Sequence, residues 1–263
     1  MQLPSLFSHY YLIKEFSKRE IFSRYRGSVL GIWWALLTPI LMLLIFTFVF
    51  GEIFQAKWHG GSGNIAEFSV QLYAGLVVFW FFNEVITKSP GLIVSQSNYV
   101  TKVIFPLEIL PVVTLIGSLF HLLINLAILL IAVAAVYQEI HLSILALPLI
   151  ILVTMPMLLG AGWIFSALGV YVRDISTLIG VFMSMVMFLS PIFYPIEAVP
   201  QWSRWLFEIN PMSLPIEWIR GCVCNGIWPA WEAMAVYALV SLLIAYVGWK
   251  LFGAMRKGFA DVL

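Results

Sequence analysis

Charge is what this chain has least of. Asp, Glu, Lys and Arg make up 10% of its 263 residues, while 62% are hydrophobic. A soluble domain carries about 25% charged residues, so a water-soluble globule is excluded and an integral membrane protein is expected. Aspartate is rarer still, limited to Asp174 and Asp261. That scarcity argues against a membrane-embedded glycan-transferring enzyme, which would want acidic clusters close to the bilayer. It also argues against a secondary transporter, because no chain of intramembrane acids and no inverted repeat is visible. The two cysteines, Cys222 and Cys224, sit in "CVC". The spacing is poor for a metal and no second pair completes a site, so they read as small apolar side chains. No Walker loop, HExxH or GxSxG occurs. No catalytic residue, metal or cofactor is therefore expected in this chain. An aromatic-plus-basic strip for nucleic acid is missing too, and none is expected as a partner.

Long apolar runs are what the chain does have. A membrane helix needs about 20 mostly apolar residues. Six spans are expected, at about 28–50, 68–88, 108–137, 144–172, 175–194 and 231–252. Glu84 sits four residues before Lys88, a spacing that pairs them at a helix end. Pro111, Pro148 and Pro156 mark helix starts or kinks. His121 and Asn125, four apart, share a face and suit interhelical hydrogen bonds. Gly27 and Gly31 form a GxxxG, and Gly162, Ser166 and Gly169 a stripe of small residues, both suited to close helix packing.

Sidedness follows from Lys and Arg. With the N-terminus inside, one face collects Lys14, Lys18, Arg19, Arg24, Arg26, Lys88, Lys102, Arg173, Lys250, Arg256 and Lys257. The other keeps Lys57, Arg204 and Arg220. Both termini are expected in the cytoplasm. The first 26 residues hold five of these cations and no small-residue cleavage pattern, and read as an amphipathic lead-in rather than a signal peptide. Over about 8–26 this segment suits an interfacial helix. Its arginines either obey the positive-inside rule alone or, at Arg24 and Arg26, meet a phosphorylated lipid head.

Two connections stand out. In "SNYVTKVIFPLEILP" Val100, Val103 and Ile104 recur at helical spacing and Pro106 stops the turn. The resulting short helix, about 97–105, either lies flat on lipid or fits a groove in a soluble partner. In the outer segment, about 195–229, Trp202, Trp205, Leu206 and Ile209 form one helical stripe. A second short helix is expected from Ser213 to Cys222 after the break at Asn210-Pro211. Two such helices joined by prolines read either as a re-entrant hairpin capping a pore or as a pair lying on the surface.

Four landmarks appear in order: "RYRGSVLGIWWALLTPI", "TKVIFPLEILP", "YVRDI", and "SPIFYPIEAVP" followed by "INPMS". Together they resemble the membrane subunit of type-2 ABC exporters, and more narrowly the exporters of O-antigen, capsule and teichoic acid. The resemblance spans nearly the whole chain. It implies an all-α permease, an O-antigen exporter first and a capsule or teichoic-acid exporter as the alternative. It implies a homodimer with two separate ATP-binding subunits, which would hold the ATP and Mg, in the bacterial inner membrane among its lipids. The cargo would be a lipid-diphosphate-linked glycan. Carried onto this chain, Tyr99, Val100, Lys102, Val103, Ile104 and Phe105 would form the coupling helix seated in the ATPase. Arg173 and Asp174 would make a second contact. Trp33, Phe46, Phe50, Met183, Met187 and Tyr194 are candidates to line the channel, and Trp202, Trp205, Leu206 and Ile209 would belong to a periplasmic gate.

Overall fold

The structure, a computed structural model, describes residues 9–53, 64–101 and 105–263. Every regular element among them is helical. Helix α1 covers Tyr10–Ser23 and α2 covers Trp34–Phe46. A 3-10 turn precedes α2 and a π turn follows it, so the run continues from Gly31 to Ile53. Next come α3 (Ile65–Lys88), the short α4 (Gly91–Val94) and α5 (Ser97–Thr101), then α6 (Ile109–Tyr137). Helices α7 (Leu147–Tyr171) and α8 (Ile175–Phe188) are separated by a three-residue turn. Helices α9 (Arg204–Ile209), α10 (Ser213–Cys224), α11 (Trp231–Met255) and α12 (Phe259–Val262) complete the chain.

Five of these runs are long and apolar enough to cross a membrane: Gly31–Ile53, Ile65–Lys88, Ile109–Tyr137, Leu142–Tyr171 and Trp231–Val262. The run expected over 175–194 differs, because α8 stops at Phe188. At 1.5 Å per residue its 14 residues reach about 21 Å, short of a hydrocarbon core of about 30 Å. Beyond it "SPIFYP" places two prolines, neither able to donate a helical hydrogen bond. Pro111 and Pro148 fall in the first turns of α6 and α7, where the missing donor costs nothing, and Pro156 lies inside α7.

Helix α3 is the central post: from Phe68 to Ile86 most of its side chains are buried, with Leu72 and Tyr73 wholly so. It packs against α6, α10 and α8. Around it α7 and α11 pack closely along their lengths. A Cβ on Gly160 would lie 2.4 Å from the Ile244 carbonyl oxygen, and one on Gly248 2.3 Å from that of Gly160. The two backbones therefore touch, as small-residue crossings in membranes allow. The stripe on α7 serves the same end, since Gly169 meets the Pro90 backbone and Gly162 the Ser89 side chain. Gly27 and Gly31 do not pack helices. Both have positive φ, at 86° and 54°, in the connection from α1 to α2, with open space around them.

The spans alternate between two ends. At one, a second apolar cluster gathers Ile93, Phe105, Leu107, Trp163, Trp249, Phe252 and Phe259, and α1 lies on it through Leu12, Ile13 and Phe16. The segment 195–229 forms the other end. Helices α2 and α8 sit at the flank with much of their apolar surface uncovered: Leu178, Val181, Phe182, Met185 and Phe188 of α8 are all exposed.

Candidate functional site

At the α1 end, one carboxylate organises charges from three elements. Glu84 closes the last turn of α3, and its side chain is only 13% exposed. Arg24, just beyond α1, donates from Nη2 to Glu84 Oε1 at 2.6 Å, and Lys88 Nζ lies 3.1 Å from the same oxygen. His121 of α6 places Nδ1 3.0 Å from Glu84 Oε2. That contact puts the ring proton on Nδ1, so Nε2 accepts the Tyr25 hydroxyl at 2.9 Å. Burial pushes the Tyr25 phenol up, which keeps it a donor. Lys88 also reaches Glu20 of α1 at 2.8 Å. The i,i+4 spacing of Glu84 and Lys88 is legible in sequence. Arg24 and His121 arrive from 60 and 37 residues away, and no local pattern connects them. A buried charge survives only when paired, so this hub fixes α1 to α3 and α6.

The hub forms the polar end of a cavity of about 510 Å³ between the α1–α2 connection, α2, α3 and α6. Its body is apolar and aromatic, with Trp34, Phe46, Trp80, Phe81 and Met187 on the walls. Asn125 stands between the two regions. It accepts from Tyr73 at 3.0 Å and donates to the His121 carbonyl at 2.7 Å. Of the candidate lining residues, Phe46 and Met187 thus reach the cavity. Trp33 is 63% exposed at the start of the first run, and Phe50 stacks on Phe193 with centroids 5.6 Å apart. Met183 is buried in the core, and the Tyr194 hydroxyl donates to the Phe188 carbonyl. Arg26 is exposed beside the hub but outside it.

The candidate coupling segment lies nearby. Lys57, Lys102, Val103 and Ile104 fall outside the described residues. On either side of the gap at 102–104, Tyr99 stacks on Phe105 at 4.6 Å, and both rings meet Phe16 of α1. Phe105 is buried and Val100 partly so, against the second cluster. These three side chains turn inward and seat the segment on α1. Sequence reasoning missed what holds its far end. Arg256 donates to buried Glu108 at 2.6 Å and to the Phe105 carbonyl at 3.1 Å, while Trp163 Nε1 donates to the Glu108 carbonyl at 3.0 Å. Arg173 and Asp174 are exposed in the α7–α8 turn. Arg173 borders a pocket shared with Pro90, Gly91 and Val94 of the α4 segment.

At the opposite end the stripe Trp202, Trp205, Leu206 and Ile209 runs along α9 and the turn before it. Trp202, Trp205 and Ile209 are 79%, 55% and 72% exposed, while Phe207 turns inward against Tyr194. Helix α10 is largely buried. The segments "SPIFYP" and "INPMS" meet here, since Asn210 Nδ2 donates to Ser190 Oγ at 2.7 Å and to the Leu189 carbonyl at 3.0 Å.

Comparison with known proteins extends this picture. The family described as ABC-2 type transporter matches residues 11–223. An O-antigen export system permease protein, RfbA, of Myxococcus xanthus is 24% identical over 258 residues, covering 97% of this chain and 96% of the relative. A protein of the same name from Klebsiella pneumoniae is 22% identical over 254 residues, covering 96% and 95%.

Proposed function

This chain belongs to the ABC-2 type transporter family, and we propose that it is the permease subunit of an ATP-driven exporter of lipid-linked O-antigen polysaccharide. The observation that carries the proposal is the similarity to permeases of that name over 97% and 96% of this chain. It is a multi-pass membrane protein and a transport subunit rather than an enzyme. Its sequence holds no phosphate-binding loop, so the energy comes from a separate ATP-binding subunit that carries ATP and Mg.

In this reading α8 and the segment after it complete a sixth crossing in the bacterial inner membrane, with both termini in the cytoplasm. Segment 195–229 then lies in the periplasm, where it dips back and caps the exit. Two copies assemble, because six helices are too few to surround a polymer; the uncovered faces of α2 and α8 support this. Two ATP-binding subunits dock on residues 97–105 and on Arg173 and Asp174. The aromatic cavity with its polar mouth suits an apolar lipid whose diphosphate meets Arg26 and Arg24 at the headgroup level.

Co-expression with the ATP-binding subunit tests this. A stable complex is expected, with ATP hydrolysis stimulated by lipid-diphosphate-linked glycan and the stimulation weakened severalfold by Arg24→Ala with Arg26→Ala. Failure to associate refutes the permease reading. Unchanged stimulation in the double variant refutes the role of the arginines.

A further inference from the structure

The end of α8 is finished by side chains from beyond it in the chain rather than by its own next turn. Carbonyls at a helix end have no intrahelical partner, and at membrane depth they need one from protein. Tyr194 donates to the Phe188 carbonyl and Asn210 to that of Leu189. Arg220 of α10 takes two more, its Nη2 lying 2.7 Å from the Pro191 oxygen and 3.2 Å from that of Ile192. The same guanidinium donates from Nε to the Gln71 carbonyl of α3 at 3.2 Å and pairs through Nη1 with Glu217 at 3.0 Å. Arg220 is 3% exposed. Room for it exists because position 75 is glycine: a Cβ there would lie 3.0 Å from Arg220 Nη2 and 3.2 Å from Ile192 Cα.

We propose that α8 and the hairpin 195–224 move as one rigid lever clamped by Arg220, the positioning residue of the exit. This rests on the permease reading above. A hairpin hinging away from α8 as a separate lid would strip partners from the carbonyls of 189, 191 and 192 and from a buried guanidinium at once. A joint movement keeps these bonds and, of those the guanidinium makes, gives up only the one to the Gln71 carbonyl of α3. The lever begins at Ile175, beside Arg173 and the α4 segment, so a push at that end reaches the exit through one body. Lysine cannot replace the clamp, since its compact ammonium lacks the planar fork that spans several oxygens.

Three arms test the lever. Ser190→Cys with Asn210→Cys places thiols where the native side chains touch, with single-cysteine chains as controls. In complex with its ATP-binding subunit, the oxidised pair exports at least as fast as the same protein reduced. Export lost on oxidation and regained with reductant overturns the proposal. Second, Arg220→Lys lowers export about tenfold, in keeping with a lost charged hydrogen-bond set, and the oxidised cysteine pair in the same chain restores it. An assembled complex that the lock does not restore refutes the positioning role. The third arm uses the purified chain alone: hydrogen exchange in Arg220→Lys and Gly75→Ala rises together at the amides of 189, 190 and 192 and across α9. A rise confined to α9 overturns the rigid lever. Because this arm needs neither partner nor glycan, joint loosening without any export in any variant counts against the permease reading alone.

Discussion

Replacing Glu84 by glutamine keeps the shape of the side chain and removes its charge. The side chain then no longer balances Arg24 and Lys88, nor offers His121 a charged acceptor, three groups that meet it within 3.1 Å. Removing one partner of a buried ion pair costs about 3–5 kcal/mol, and of an exposed pair about 0–1 kcal/mol. Glu84 is nearly buried, but the Arg24 side chain is 42% exposed and can turn to water. The expected cost therefore lies between those limits, at about 2 kcal/mol. At about 2–4 °C per kcal/mol for a chain of this size, the melting midpoint should fall by about 4–8 °C. Thermal unfolding of the detergent-solubilised protein at one fixed scan rate measures it. The double-mutant cycle sharpens the result. Arg24→Gln alone leaves Glu84 with Lys88 and His121, and should cost about 1 kcal/mol. With both changes the loss should be smaller than the sum by about 1 kcal/mol. Additivity, or a Glu84→Gln protein as stable as its parent, would refute the hub as the link between α1 and the spans.

Two further predictions rest on packing. Gly160→Leu and Gly248→Leu should each cost most of the folded yield in size-exclusion chromatography, because the new Cβ meets backbone on the neighbouring helix at 2.4 or 2.3 Å; Gly91→Ala, with open space around it, should behave as wild type. Arg256→Met should expose the 97–108 segment to limited proteolysis, since it strands the buried Glu108 carboxylate at a cost of about 3 kcal/mol; adding Glu108→Gln should recover part of the protection, and equal cleavage of all three proteins would sink the brace.

What could be read early had a local cause. Apolar runs announce helices at 65–88 and 109–137 because burial and backbone satisfaction in lipid act along a single segment. The break at Asn210-Pro211 and the i,i+4 pair Glu84–Lys88 are local too. The limits of such patterns show at Gly27 and Gly31, whose spacing matches a packing motif while their positive φ values make them turn residues. The span expected through residue 194 illustrates the same limit. Apolar content continues past Phe188, but the carbonyls there are taken by Tyr194, Asn210 and Arg220.

The sequence by itself determined the membrane class, the positions of the long helices and the order of landmarks that places the chain among ABC-2 transporters. Composition and periodicity are sums over neighbours, so one strand of text contains them. Only the tertiary structure decided that Glu84 is a hub, that Arg256 braces the candidate coupling segment, and that Arg220, in sequence merely one more outer cation, is buried beneath the hairpin. Those assignments depend on groups that meet from 29 to 149 residues apart, where packing rather than spacing selects the partner, and a charge is stable only where that partner stands.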